Sequence, residues 1–283
     1  MKGILFATTL FIFVVGCSPE IRYNYDIEID ASNSIDESSF KNYVNIVVDD
    51  ILPNLRNSDC ISIKFIDECS LTKAERIFFI DLSKRDFSKQ LDGLNFAVDS
   101  ASARMKRFIR DTVSIALKEL LLKKRTERKN CSNFTNILAA LKESASLLNN
   151  TKSFSSNLDQ LANNAAGKDN FKYENVIIIF SDMINDNAEK TMNFSEFGTL
   201  SSKQILKKLD DIKQNDQLPI LKNSKVIIYG ATSSSNNSRY ANLQIGNIKL
   251  FWQHYFKDSG AQLIAYGFDT KKEINDFMFQ NQQ

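Results

Sequence analysis

The sequence predicts an α/β fold: a doubly wound, mostly parallel six-stranded sheet with one antiparallel edge strand. Three observations carry this. Short apolar runs alternate with stretches of helical period along the whole chain. One run, residues 176–180 (Val-Ile-Ile-Ile-Phe), is apolar without a break, as in a parallel strand covered on both faces. The apolar runs at 61–66 and 76–82 are joined by a connection short enough for an antiparallel hairpin.

Taken in order, residues 25–30 read as the first strand. A helix follows over 38–52, with Phe40, Tyr43, Val44, Val47, Val48 and Ile51 on one face and Pro53 as its stop. Strands at 61–66 and 76–82 precede a helical tract over 88–124, broken near Gly93 or Asp99. Residues 135–148 form the next helix, with Asn133 or Ser132 as its cap. The Asn-, Ser- and Lys-rich stretch 149–174 reads as a loop insertion. Beyond the 176–180 strand come a helix at 201–214, a strand at 225–229, a helix at 245–259, a strand at 263–266 and a closing helix at 271–279. No repeat or Pro-rich linker interrupts this, so residues 25–283 form one domain.

The first 16 residues stand apart. Lys2 and an apolar core over 4–15 have the proportions of a secretory signal, and the core is shorter than the roughly 20 residues a membrane-spanning helix needs. Val14-Val15-Gly16-Cys17 resembles the bacterial lipobox, in which Cys17 is lipidated and becomes the mature N-terminus. Residues 17–24 then read as a lipidated tether of roughly 25 Å when extended. That places the domain in the cell envelope, facing the periplasm or the cell surface. Ser18 in place of Asp favours the outer membrane under the enteric sorting rule.

Formal net charge is +2, and loss of Lys2 with the signal leaves +1. A chain so near neutrality has no long-range field for nucleic acid. Its basic run, Lys123-Lys124-Arg125 with Arg128 and Lys129, follows a helical pattern and reads as a solvated helix end favoured by the macrodipole. Besides Cys17 there are Cys60, Cys69 and Cys131. Cys60 opens a strand and Cys69 lies beyond its end, out of bridging range at roughly 3.3 Å per residue. The candidate disulfide is therefore Cys69 with Cys131, leaving Cys60 a buried thiol. The absence of C-x-x-C gives zinc chemistry little support.

Chemistry gathers elsewhere. Residues 30–34, Asp-Ala-Ser-Asn-Ser, put a carboxylate and two hydroxyls into one tight turn, the oxygen ligands that hard cations such as Mg²⁺ select. In a doubly wound sheet, ligands collect at the carboxyl ends of the parallel strands. Asp182, after the 176–180 strand, and Thr135, at a helix start, can reach the same rim as Asp30, Ser32 and Ser34.

In these residues the chain resembles the von Willebrand factor A-type (vWA) family with its metal ion-dependent adhesion site. The family pattern is D-x-S-x-S, then a Thr on a later loop, then an Asp after the fourth strand. Asp30, Ser32, Ser34, Thr135 and Asp182 fill it in order. The resemblance covers residues 22 to about 280, including the aromatic 251–256 helix before Gly260. It implies a Rossmann-like vWA fold and hydroxyl ligation of Mg²⁺ (or Mn²⁺) by Ser32, Ser34 and Thr135. Asp30 and Asp182 would bind directly or through water, and a partner's Asp or Glu would complete the sphere. Two departures stand out. Met183 follows Asp182 where many members have Gly, which predicts a bulkier loop and a narrower approach to the metal. Asp26 and Glu28 lie in strand one where apolar residues are usual; they must face a polar layer or pair with a cation.

Other reactive types read as structural. His254, the lone histidine, sits mid-helix among aromatics, and Trp252 is that helix's core anchor. Cys131 has no identifiable His or Asn partner for nucleophilic work. Asp186 reads as a solvated loop residue, the alternative being a carboxylate that stands behind the metal ligands. The expectation is a membrane-anchored lipoprotein that binds a protein through a metal, not an enzyme and without catalytic residues. The alternatives are a metal-assisted hydrolase and a structural envelope-assembly module with a vestigial site.

Overall fold

The computed structural model describes residues 20–71, 76–85, 101–149, 171–186, 192–231 and 239–280. The signal segment, Cys17, the expected helix break near Gly93 or Asp99 and residues 150–170 of the expected insertion lie outside them. Six strands form one sheet: β1 (Glu20–Asp30), β2 (Cys60–Ile66), β3 (Arg76–Asp81), β4 (Phe171–Phe180), β5 (Ser224–Tyr229) and β6 (Gln262–Gly267). Their order is β3-β2-β1-β4-β5-β6, and every pair is parallel except β2 with the edge strand β3. The predicted fold class is the observed one.

Helices cover both faces. On one face lie α1 (Glu37–Asn45), which runs on through a π-helical turn at Ile46–Ile51, then α2 (Ala101–Phe108), α3 (Ser114–Glu127) and the final helix. Their Phe40, Val47, Leu117, Leu121 and Ile274 pack on Ile27, Ile178 and Ile227. The other face is covered by α4 (Ile137–Asn149), α5 (Ser202–Gln214) and α6 (Arg239–Asp258). There Leu141, Leu209, Phe251 and Trp252 pack on Ile177, Ile179 and Ile228. The closing α7 (Lys271–Gln280) returns to the first face. Asp36 caps α1, its carboxylate accepting the Ser39 amide at 2.8 Å. Asn136, rather than Asn133 or Ser132, caps α4: its Oδ1 accepts the Ala139 amide at 3.2 Å.

Two strands start well before the points read in the sequence, for one reason. β1 starts at Glu20, inside the stretch read as tether, and β4 starts at Phe171, inside the stretch read as insertion. These two ends pair with each other, Glu20 opposite Phe171 through Tyr23 opposite Glu174. Neither looks apolar alone. Tyr23 is buried by long-range partners, with the Arg56 guanidinium 4.7 Å over its ring and Phe277 edge-on at 6.0 Å.

The acidic residues of β1 find a cation on β2. Strand register sets Lys64 opposite Glu28. Its Nζ lies 3.1 Å from Asp26, 3.1 Å from Glu28 and 2.9 Å from Ser144 of α4, whose hydroxyl donates to Glu28. Lys64, Asp26 and Glu28 side chains are 3%, 0% and 1% exposed. Two carboxylates thus share one ammonium, with Glu143 3.9 Å away at the cluster's wetter edge. Burial pushes Glu28 up to about 6, with Asp26 adding to the rise and Lys64 opposing it.

Replacing Lys64 by Met strands two buried carboxylates. We expect a loss of about 3–5 kcal/mol in urea-unfolding free energy. The pH response has a fixed sign. Between the ordinary Glu value and about 6 the folded state holds more protons than the unfolded chain. Glu28's contribution is therefore present in acid and lost as pH rises through about 6. The stability gap between wild type and Glu28→Gln should shift in that direction across this window; a flat gap would contradict the assignment.

Candidate metal site

Strand order reverses between β1 and β4, so the loops after these strands splay apart and leave a crevice at their carboxyl ends. Asp30 closes β1 on the crevice floor, fully buried. Its Oδ1 accepts the Ser32 amide at 3.0 Å, folding the turn back on itself, and its Oδ2 accepts the Ser181 hydroxyl at 2.8 Å. That second bond crosses from β1 to the end of β4. The five predicted residues meet here. Thr135 Oγ1 donates to Ser32 Oγ at 2.7 Å, Ser32 Oγ lies 2.9 Å from Ser34 Oγ, and Ser34 hydrogen-bonds the Asp182 carboxylate. Three hydroxyls thus form a relay that ends on a carboxylate.

The crevice is closed below and open above. Asp30, Ser32 and Thr135 are buried, Asp182 is half-buried and Ser34 is exposed. Burial, followed by the charge of Asp182, raises the Asp30 carboxyl to about 7, against hydrogen bonds from Ser32 and Ser181. Asp182 is raised as well, chiefly by burial. Two carboxylates held this near each other are relieved by a proton or by a cation. The donor set is all oxygen, with two carboxylates and three neutral hydroxyls. It fits a hard cation such as Mg²⁺ or Mn²⁺ and not a thiolate- or imidazole-seeking one. Among the described residues no three His, Cys, Asp or Glu side chains cluster as a metal site, so a cation held here would need the hydroxyls as ligands.

Main-chain bonds tie the three loops together. The Asn33 amide donates to the Ser132 carbonyl at 2.8 Å, and the Asp186 amide donates to the Thr135 carbonyl at 2.8 Å. Asp186 is therefore not a free loop residue. It is half-buried beside Thr135, and its Oδ1 is buried with no hydrogen-bond partner. Around the rim run stronger braces. Cys69 and Cys131 are disulfide-bonded, Cα to Cα 5.3 Å, joining the loop after β2 to the loop that carries Thr135. Beside that bridge Arg128 grips Asp67 with two bonds of 2.8 and 2.9 Å. Arg125 donates to the Ile35 carbonyl and lies 4.2 Å over the Phe40 ring. The basic run is thus more than a solvated helix end: two of its arginines fasten site loops. Cys60 is a free, buried thiol.

Met183 corrects another expectation. It takes up φ +63°, a conformation that costs an ordinary residue about 1–2 kcal/mol. Its side chain is fully buried in the core beneath α6 and not over the metal approach, and its carbonyl accepts the Trp252 indole N–H at 3.0 Å. Trp252 therefore anchors the Asp182 loop as well as its own helix, while His254 is half-buried on α6. Ser181, Arg125, Arg128 and Asp67 were not read as site residues. Ser181 had one signal, its place between an apolar strand and Asp182.

No protein-family model matches the chain, and no curated protein matches it either. The case for the site is its geometry.

The disulfide closes a loop of sequence separation 62, for which chain entropy gives about 4 kcal/mol. Replacing Cys69 and Cys131 by Ser should lower the denaturation free energy by that order. A dithiol reductant should do the same to the wild type and nothing to the variant.

Proposed function

We propose that this chain is a vWA-type domain of a lipid-anchored bacterial envelope protein, binding a protein partner through a divalent metal. The observation that carries the reading is the hydroxyl relay Thr135–Ser32–Ser34–Asp182 above Asp30, at the switch point of a doubly wound sheet. Ser32, Ser34 and Thr135 would hold Mg²⁺ (or Mn²⁺) directly, and Asp30 and Asp182 directly or through water. Neutral hydroxyls leave much of the cation's charge uncompensated. On the open side, where Ser34 is exposed, an Asp or Glu of the partner supplies what is missing. A metal held there would supply that electrophilic point. The chain orients it through the braces at Asp67–Arg128 and Cys69–Cys131.

Two-metal hydrolysis needs a second set of carboxylates, and among the described residues the carboxylates tied to the relay are the pair Asp30 and Asp182, enough for a single cation. This favours binding over catalysis. Envelope placement rests on the signal-like residues 1–16 and the lipobox-like Cys17. Among the described residues no helix is long and apolar enough to cross a membrane.

Added Mg²⁺ should raise the melting temperature of the wild type, by an amount corresponding to about 2.7 kcal/mol at a concentration 100 times Kd. Ser32→Ala with Ser34→Ala should abolish that rise. A pulldown from envelope extract should lose its partner on chelation. Metal-independent stability together with an unchanged pulldown would instead support a structural module with a vestigial site.

A further inference from the structure

Asp186 is a carboxylate that the ligand set leaves out and the fold brings to its edge. It forms an antiparallel bridge with Thr135, its amide donating to the Thr135 carbonyl at 2.8 Å. Residues directly opposite in such a bridge put their side chains on the same side, with Cβ atoms about 5 Å apart. The Asp186 carboxylate therefore stands beside the Thr135 side chain. The segment that carries it is pinned. Neighbouring Asn185 is fully buried, its side chain accepting the Leu138 amide at 3.2 Å and donating to the Met192 carbonyl at 3.0 Å. The Asn185 carbonyl also accepts the Phe194 amide, at 3.1 Å. Amid these satisfied groups Asp186 Oδ1 is buried and has no hydrogen-bond partner among the described residues. A buried carboxylate oxygen left open is costly, and it calls for a reason.

The hydroxyl relay supplies one. Thr135 Oγ1 donates to Ser32 Oγ at 2.7 Å, so the Thr135 proton rests on an oxygen that belongs to the same ligand set. An oxygen bound to a cation gives its electron density to the ion and becomes a poor acceptor. With Ser32 and Thr135 both ligating, the proton between them loses its partner and needs another. We propose that Asp186 is a positioning residue of the metal site: with the cation held, Thr135 turns its proton from Ser32 to Asp186 Oδ1. The proton stays on Thr135 throughout, and only its hydrogen bond changes hands. A charge-assisted bond to the carboxylate fixes the Thr135 rotamer and enriches its oxygen for the ion, which Asp186 does not touch. The inference rests on the metal-binding reading above.

Calorimetric titration of the full chain with Mg²⁺ tests this. Asp186→Ala should weaken binding about tenfold. Asp186→Asn keeps an acceptor oxygen at the same place and should recover most of that affinity. Without metal, neither variant should lower the melting temperature, because the oxygen removed or neutralised has no partner there. Unchanged Mg²⁺ affinity in Asp186→Ala overturns the role. So does an equal loss in both variants, which would mean that the negative charge is needed and not the acceptor. A lowered metal-free melting temperature in Asp186→Asn overturns it too, in favour of a purely structural carboxylate. A wild-type chain that binds no Mg²⁺ overturns the metal reading itself and this role with it, a result visible before any variant is made.

Discussion

One ammonium in the middle of the sheet governs how the rest is arranged. β1 is hydrogen-bonded on both edges and buried on both faces, yet it carries Asp26 and Glu28 inward. Without Lys64 directly across on β2, that strand would hold two unpaired charges in an apolar interior, a cost of several kcal/mol each. The pairing also fixes register. A slip of one residue between β1 and β2 would turn Lys64 away from both acids and send Asp30 off the crevice floor. Ser144 extends the same constraint to α4, the helix that follows Thr135. The cluster therefore reaches two of the three loops that build the site.

The site itself rests on bonds between loops more than within them. Asp30 is held by Ser181, Ser32 by Thr135, and Ser34 meets Asp182, so the turn after β1 is oriented by two other loops, the one after β4 and the one before α4. Covalent and ionic braces at Cys69–Cys131 and Arg128–Asp67 stand outside this ring and leave its upper side open. Geometry of this sort is prepared before any ligand arrives, which lowers the ordering cost of binding.

Much of this was legible in the sequence, for identifiable reasons. The fold class followed from period and from the unbroken apolar run at 176–180, because a strand buried on both faces has no polar side to hide the signal. Asp30, Ser32, Ser34, Thr135 and Asp182 were legible because each stands at the end of a readable element. What local pattern cannot carry is partnership at a distance. Residues 20–24 and 171–174 look like polar linkers until they are paired with each other. Met183 looks like an obstruction until Trp252 and the core claim it. Arg125 and Arg128 look like solvent-facing charge until Ile35 and Asp67 are brought to them by the fold. Asp26 and Glu28 stand out in the sequence as needing a polar layer or a cation, and only the register names Lys64.

The early start of β1 has a mechanical consequence. Only Ser18 and Pro19 separate Cys17 from Glu20, and the strand then runs 11 residues to Asp30. At about 3.3 Å per residue, that is a rigid rise of roughly 35 Å. If Cys17 carries the proposed acyl chain, that rise would separate the anchored end of β1 from Asp30, so the anchor and the crevice would lie at opposite ends of one strand.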